Sequence, residues 1–220
     1  MRVLAVDTSS PRGSLAVAGP EGVVAEARVV TAEGHSRWLL PAVAALLQGL
    51  GLDPGGLDLF AVTTGPGSFT GLRVGLGSVQ GLALASGRPC VGLPTLDVLA
   101  ASAARSSGTV VALIDAFRGE VYSGVYDAAG SLRGGPTVGP LAAVLEGVPA
   151  GSAFVGDAAA KHRETILQAV PDAVFADWAR FLAPPLAAVA LRRAAAGATV
   201  SPSDLRPLYL RAADIRPPRA

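Results

Sequence analysis

The 220-residue chain holds a single cysteine, Cys90, so it has no internal disulfide and no cysteine-built metal site. Histidine is nearly as scarce. His35 and His162 stand far apart and form no helical His-x-x-x-His pair, which removes a zinc or iron site of that kind. Lysine is reduced to Lys161 against a background of arginine, the formal net charge is only +1, and no basic run is longer than Arg192-Arg193. That is not the clustered charge of a protein that grips nucleic acid unaided. Aromatic residues make up 5%, so the core has to be aliphatic and rich in alanine. Long apolar runs are missing too. The longest stretch without a charged residue is Trp38 to Leu52, 15 residues interrupted by Pro41, Gln48 and two glycines, short of the roughly 18–20 residues that span a bilayer. Asp7 breaks any apolar leader at the N-terminus. These features lead us to expect a cytoplasmic protein with no membrane association.

What is present is a globular composition: 50% hydrophobic, 16% charged, mean hydropathy +0.46, with 27 glycines and 17 prolines scattered as turn formers. Val3-Leu4-Ala5-Val6 reads as a buried strand ending at Asp7. Ser14–Ala18 and Val23–Val30 read as the next two strands, across turns at 8–13 and 19–22. Ser36 is placed to cap an amphipathic helix to about Leu50, closed by Gly51. Leu57–Thr64 is a strand, Gly65–Gly71 a glycine-rich loop, and a small-residue helix runs on to Ser86. Cys90–Leu93 is a short strand, and Thr95 is expected to cap a helix over Leu96–Ala104.

After Ser106-Ser107-Gly108 the order repeats. Strands are expected at Val110–Ala116, Glu120–Tyr126, Ser131–Val138, Ala153–Val155 and Ala173–Phe175. Helices are expected at Leu141–Leu145, Ala158–Ala169 and Leu186–Ala196. Such a duplication predicts two tandem mixed-sheet α/β domains, 1–105 and 106–220, with the C-terminal tail able to pack back on the first. The arrangement resembles the actin/hexokinase/Hsp70-like superfold, also called ASKHA or ribonuclease H-like.

Three segments carry candidate chemistry. Gly65-Pro66-Gly67-Ser68-Phe69-Thr70-Gly71-Leu72-Arg73 lies between a strand and a helix, where glycines allow close approach and backbone N–H groups attract anions. It is neither a Walker A loop nor a Rossmann fingerprint, and it reads either as a phosphate loop or as a tight turn with a helix cap. Asp7-Thr8-Ser9 and Asp115-Ala116-Phe117-Arg118 stand where actin-like kinases keep phosphate loops. Ser9 and Phe117 occupy the usual glycine positions and degrade both. The helix behind the loop carries Gly71, Gly75, Gly77, Ser78 and Gly81, which need a compensating close contact, either with the helix at 36–50 or with a partner's helix. Both histidines read as solvated or capping residues, and the arginine-bearing tail from Leu205, with Arg206, Arg211, Arg216 and Arg219, as a docked segment with a frayed end.

The segments Val3-Leu4-Ala5-Val6-Asp7-Thr8-Ser9, His35-Ser36, Gly65 through Gly75, Pro94-Thr95-Leu96, Asp115 through Tyr122 and Pro207-Leu208-Tyr209-Leu210-Arg211 occur in the order of a known family. From end to end the chain resembles the TsaB (YeaZ) family. That resemblance implies a non-catalytic subunit, with no catalytic or metal-binding residues, working with a TsaD-like catalytic subunit and a TsaE-like ATPase. Together they place threonylcarbamoyl on the adenosine 3′ of the anticodon in tRNAs reading codons that begin with adenine. The chain would have no cofactor of its own, ATP or ADP would belong to the complex, and tRNA would be met through it.

The expected interface, also used for homodimers when the chain is alone, is formed by Trp38, Leu39, Val43, Leu46, Gly71, Val74, Gly75, Ser78 and Val79. Asp7, Thr8, Ser9, Gly65, Gly67, Ser68, Thr70 and Arg73 are the residual nucleotide or phosphate positions. The alternatives are a small-molecule kinase of the same superfold, or an M22-type glycoprotease-like protein.

Overall fold

Runs of apolar residues without polar alternation, such as Val3–Val6, demand burial on both faces of a sheet. The computed structural model describes residues 1–103 and 108–211, and it meets that demand with five layers. The first sheet has the order β3-β2-β1-β4-β5, from β1 (Val3–Asp7), β2 (Arg12–Gly19), β3 (Gly22–Val30), β4 (Leu59–Gly65) and β5 (Cys90–Pro94). The second has β10-β9-β6-β7-β8, from β6 (Val110–Asp115), β7 (Glu120–Tyr126), β8 (Leu132–Pro140), β9 (Ala153–Val155) and β10 (Val174–Phe175). In each sheet the first three strands pair antiparallel and the last two join in parallel, so the duplicated order is a duplicated topology. The expected boundary residues Ser106 and Ser107 lie outside the described residues.

The outer face of the first sheet, with Leu4, Val6, Leu15, Phe60 and Val62, is covered by α1 (Leu39–Gly49) and α2 (Phe69–Ser86). The outer face of the second packs Val111, Leu113 and Phe154 under α4 (Leu141–Leu145), α5 (Asp157–Lys161) and α6 (Arg163–Ala169). Between the sheets lie α3 (Thr95–Ser102) and α7 (Ala183–Ala195). Their neighbours are small: Ala5, Ala16, Ala18, Ala61, Ala112 and Ala153 line the inner faces, against Ala183, Ala187 and Ala190 of α7. Alanine on both sides lets helix and sheet approach closely, which accounts for a core with so few aromatic rings. Although α7 comes late in the chain, it rests on β1 and β2, and Ser14 Oγ accepts a hydrogen bond from Ala183 N at 3.0 Å.

Three local expectations fail for identifiable reasons. The first helix begins at Leu39, not Ser36, because residues 35–38 form a turn, closed by Leu39 N donating to His35 O at 3.1 Å, and Ser36 points to solvent. Thr95 is the first residue of α3 rather than its cap. Pro94 holds that position with extended dihedrals, and the buried Thr95 Oγ1 has no hydrogen-bond partner. The helix expected over Ala158–Ala169 breaks at His162, whose φ of −107° and ψ of 24° leave the helical range.

Leu186 is completely buried between the two sheets. Leu186→Ala is therefore expected to lower the unfolding free energy by about 2–5 kcal/mol, measured by urea titration followed by circular dichroism.

Candidate functional site

A cleft of about 470 Å³ opens between the two sheets' loop ends. Ser9, Ser10, His35, Gly67, Ser68 and Phe69 form one wall; Asp115, Phe117, Tyr122 and Asp157 form the other; Tyr209 and Arg211 close the mouth.

Asp7 ends β1 beside this cleft, 1% exposed. Its Oδ1 accepts from Ser9 N at 3.1 Å, Ser9 Oγ at 2.7 Å and Thr63 Oγ1 at 2.8 Å. Burial pushes its pKa above the ordinary carboxylate value, outweighing the donated hydrogen bonds. The next two residues run across the start of α2. A side-chain carbon at Gly67 would strike Ser9 O, one at Gly71 would strike Thr8 O, and one at Gly75 would strike Thr8 Oγ1. Ser9 O accepts from Ser68 N at 2.7 Å, Thr8 Oγ1 donates to Gly71 O at 2.8 Å, and Ser68 Oγ caps the helix by accepting from Gly71 N at 3.2 Å. The close approach that the glycines were expected to serve is thus made by the chain's own Thr8 and Ser9. The backbone N–H groups of Ser68 and Gly71 that a phosphate would use are taken, and Ser9 O closes the space beside Gly67.

The same burial corrects the expected interface. Leu39, Val43 and Val79 point into the core, at 0%, 3% and 0% exposure, and Gly71 and Gly75 are closed by Thr8. Trp38, Leu46, Val74 and Ser78 are half-buried. The free face of α2 belongs instead to Gly77 and Gly81, which have nothing within 4 Å of an added side-chain carbon, and to Leu84, 61% exposed. A second groove of about 670 Å³ lies beside it, lined by Leu40, Leu47, Leu52 and Leu82.

His35 is neither solvated nor a helix cap. It is 4% exposed, its Nδ1 accepts from Trp38 Nε1 at 2.9 Å, and its Nε2 lies 2.8 Å from Ser10 O. Those partners fix the tautomer with the proton on Nε2. Gly13 makes room for this pair, since a side chain there would collide with the Trp38 ring; in sequence it is indistinguishable from an ordinary turn residue.

On the opposite wall, burial alone would raise the Asp115 pKa. Lys161 Nζ at 2.6 Å and Phe117 N at 3.0 Å outweigh it and hold the carboxyl below its ordinary value. Phe117, expected in a glycine position, does adopt glycine-like dihedrals, with φ of 59°, and its ring is 73% exposed at the cleft mouth. Such a conformation is costly for a bulky residue.

The segment Leu205–Arg211 is docked in extended form across both walls. Leu208 N donates to Thr64 O at 2.8 Å, and Gln80 Nε2 donates to Leu205 O at 3.3 Å. At the far end, Arg211 donates to Ala116 O at 2.9 Å and pairs with Glu120. Arg73, expected at a phosphate, instead lies over the Phe69 ring at 3.9 Å and donates to Tyr209 Oη at 3.2 Å; Thr70 is exposed. Arg216 and Arg219 lie outside the described residues.

A family model described as TsaD, tRNA N6-adenosine threonylcarbamoyltransferase, matches residues 14–206. The crystal structure of YeaZ from Pseudomonas aeruginosa is 31% identical, covering 95% of this chain and 99% of that one, with a TM-score of 0.78. The chain belongs to the TsaB/YeaZ family. The tRNA threonylcarbamoyladenosine biosynthesis protein TsaB of Escherichia coli K12 is 40% identical over 128 residues, 57% of this chain. That match spans about half, 55%, of the relative's own length. A ROK hexokinase from Thermus thermophilus, 13% identical with a TM-score of 0.56 over 90% of this chain and 100% of that one, shares the fold. The expected actin/hexokinase-like α/β architecture with two mixed sheets is therefore observed. No helix among the described residues is long and apolar enough to cross a membrane.

Two outcomes follow for the isolated protein. Gly71→Ala and Gly75→Ala should each destabilise it, whereas Gly77→Ala and Gly81→Ala should each stabilise it by about 0.5–1 kcal/mol, the cost of glycine inside a helix; thermal and urea unfolding separate the two pairs. Asp7 binds its proton more tightly folded than unfolded. Its contribution is therefore fully present below the ordinary carboxylate pKa and is lost as pH rises through the raised value. Asp7→Asn keeps the Oδ1 acceptor and should remove that part of the decline, measured as unfolding free energy from pH 3 upward.

Proposed function

We propose that this chain is a non-catalytic subunit for the synthesis of threonylcarbamoyladenosine in tRNA. In this reading it docks on a TsaD-like catalytic subunit, a TsaE-like ATPase completes the set, and tRNA is engaged through the complex in the cytoplasm. The observation that supports it is the closed glycine loop: Thr8 and Ser9 fill the space beside Gly67, Gly71 and Gly75 that a phosphate held by this loop would need. ATP or ADP then acts in the assembled complex rather than in this chain. Apolar and small groups left outward on α1 and α2 (Leu40, Gly77, Gly81 and Leu84) supply a face on which a partner's helix can lie closely. The names borne by the relatives support this pathway, and the free helix face supports this mode of joining it.

Leu84→Arg places an unpaired charge in the proposed contact, which costs several kcal/mol on burial. It should abolish co-elution with a TsaD-like protein, and threonylcarbamoyladenosine in reconstituted tRNA, read by mass spectrometry, should fall in parallel. Asp7→Asn should leave modification intact. Full modification without complex formation would overturn the scaffold reading, as would ATP turnover by the isolated chain that Asp7→Asn abolishes.

A further inference from the structure

The strap Leu205–Arg211 is held unevenly by the two lobes, one per sheet. On the first lobe Leu205 is 4% exposed and its carbonyl accepts from Gln80 Nε2. Leu208 N donates to Thr64 O, and a side-chain carbon at Gly65 would strike Leu208 O, so the strap's backbone lies directly on the end of β4. Tyr209 takes the Arg73 guanidinium on its hydroxyl and the Phe69 ring on its face. On the second lobe, among the described residues, the strap's hydrogen bonds come from one side chain, Arg211.

Arg211 is set across a strained turn. It donates to Ala116 O at 2.9 Å and pairs with the Glu120 carboxylate, the residues on either side of Phe117-Arg118-Gly119. All three of these have left-handed φ values, 59°, 57° and 82°, although only the last is glycine. Such dihedrals are costly for phenylalanine and arginine and last only where the surroundings over-determine them. Ala116 N donates to Glu120 O, Glu120 N to Phe117 O and Phe117 N to Asp115 Oδ1, each at 3.0 Å, and these bonds close the turn from within. Arg211 braces it from outside. Its side chain is 27% exposed and that of Glu120 39%, so water reaches the pair.

We propose that the strap is a latch whose bolt is Arg211. With Arg211 seated, the cleft mouth is shut and Phe117 is held left-handed. With Arg211 withdrawn, the turn relaxes towards ordinary dihedrals and the second lobe swings away, while Leu205–Tyr209 stays on the first lobe. Two opposed effects of comparable size meet at this point. The left-handed backbone at Phe117 and Arg118 favours release, and the charge-assisted hydrogen bonds of Arg211 favour closure. Their balance makes the contact a two-state element rather than a fixed tie. The buried leucine and the backbone bond to β4 give the other half of the strap no such balance, so the latch gives way at one end only.

Amide hydrogen exchange and an interlobe distance, measured on the full-length chain, test the latch. Arg211→Gln should raise exchange at the Phe117 and Glu120 amides on the order of tenfold or more, while the Leu208 amide keeps its wild-type protection and circular dichroism stays native. Arg211→Lys, which keeps the charge but not the fork, should give a smaller rise at the same two amides. Adding Phe117→Gly to Arg211→Gln should restore protection at Glu120, because glycine holds this φ without strain. Spin labels on Thr70→Cys and Glu164→Cys, both exposed and one on each lobe, report the cleft by double electron–electron resonance, and the buried Cys90 stays unlabelled. Arg211→Gln should lengthen and broaden that distance, with or without Phe117→Gly, since the strap lacks its bolt in both. The proposal is overturned if Arg211→Gln leaves exchange at Phe117 and Glu120 or the distance unchanged. It is equally overturned if Leu208 loses protection along with them, if Arg211→Lys exceeds Arg211→Gln, or if Phe117→Gly fails to restore Glu120.

Discussion

Two residues at the end of the first strand organise much of this molecule. Thr8 and Ser9 lie in a trough made by Gly67, Gly71 and Gly75, with Ser9 O accepting from Ser68 N and Thr8 Oγ1 donating to Gly71 O. The contact fixes the start of α2 against β1. It also holds Ser9 where its N–H and hydroxyl reach the buried Asp7 carboxylate, and it brings Ser10 O to His35. Through His35 and Trp38 the same segment sets the entry to α1. In this chain the region is a structural joint.

The layered plan was legible in the sequence because its cause is local: apolar runs closing on Asp7 and Asp115, turn residues between them, and the same order twice. The need for close approach at Gly71 and Gly75 was legible too. Four-residue spacing says that something must come near the helix, but not whether it comes from the same chain. Here it is Thr8, more than sixty positions away, and only the fold brings it there. The pattern likewise could not divide the helix face. Leu39, Val43 and Val79 are as apolar as Leu40 and Leu84, yet the first three face the sheet and the last two face outward. The burial of His35 is hidden from the sequence for a related reason, since its partners Ser10 and Trp38 come from different turns.

The docked segment Leu205–Arg211 gives the cleft its present width. It is bonded to Thr64 on one side and to Ala116 and Glu120 on the other, so the two sheets are tied by the chain itself as well as by their common core. Tyr209 adds a ring tilted against Phe69, their centroids 5.1 Å apart. In a two-lobed fold such a tie opposes hinge opening.

The position of α7 has a consequence for how the protein is made. The helix seals the inner face of β1 and β2, and the hydrogen bond from Ala183 to Ser14 spans 169 positions. During synthesis the first strands emerge long before their cover exists, and Val3, Ala5 and Ala16 stay uncovered on that face until residues 183–195 arrive. Closing so long a loop is slow, and sheet surface exposed meanwhile invites aggregation. The nascent first half is thus the stage at which this chain is most exposed to aggregation, and a ribosome that stalls before α7 releases a chain with one side of its sheet bare.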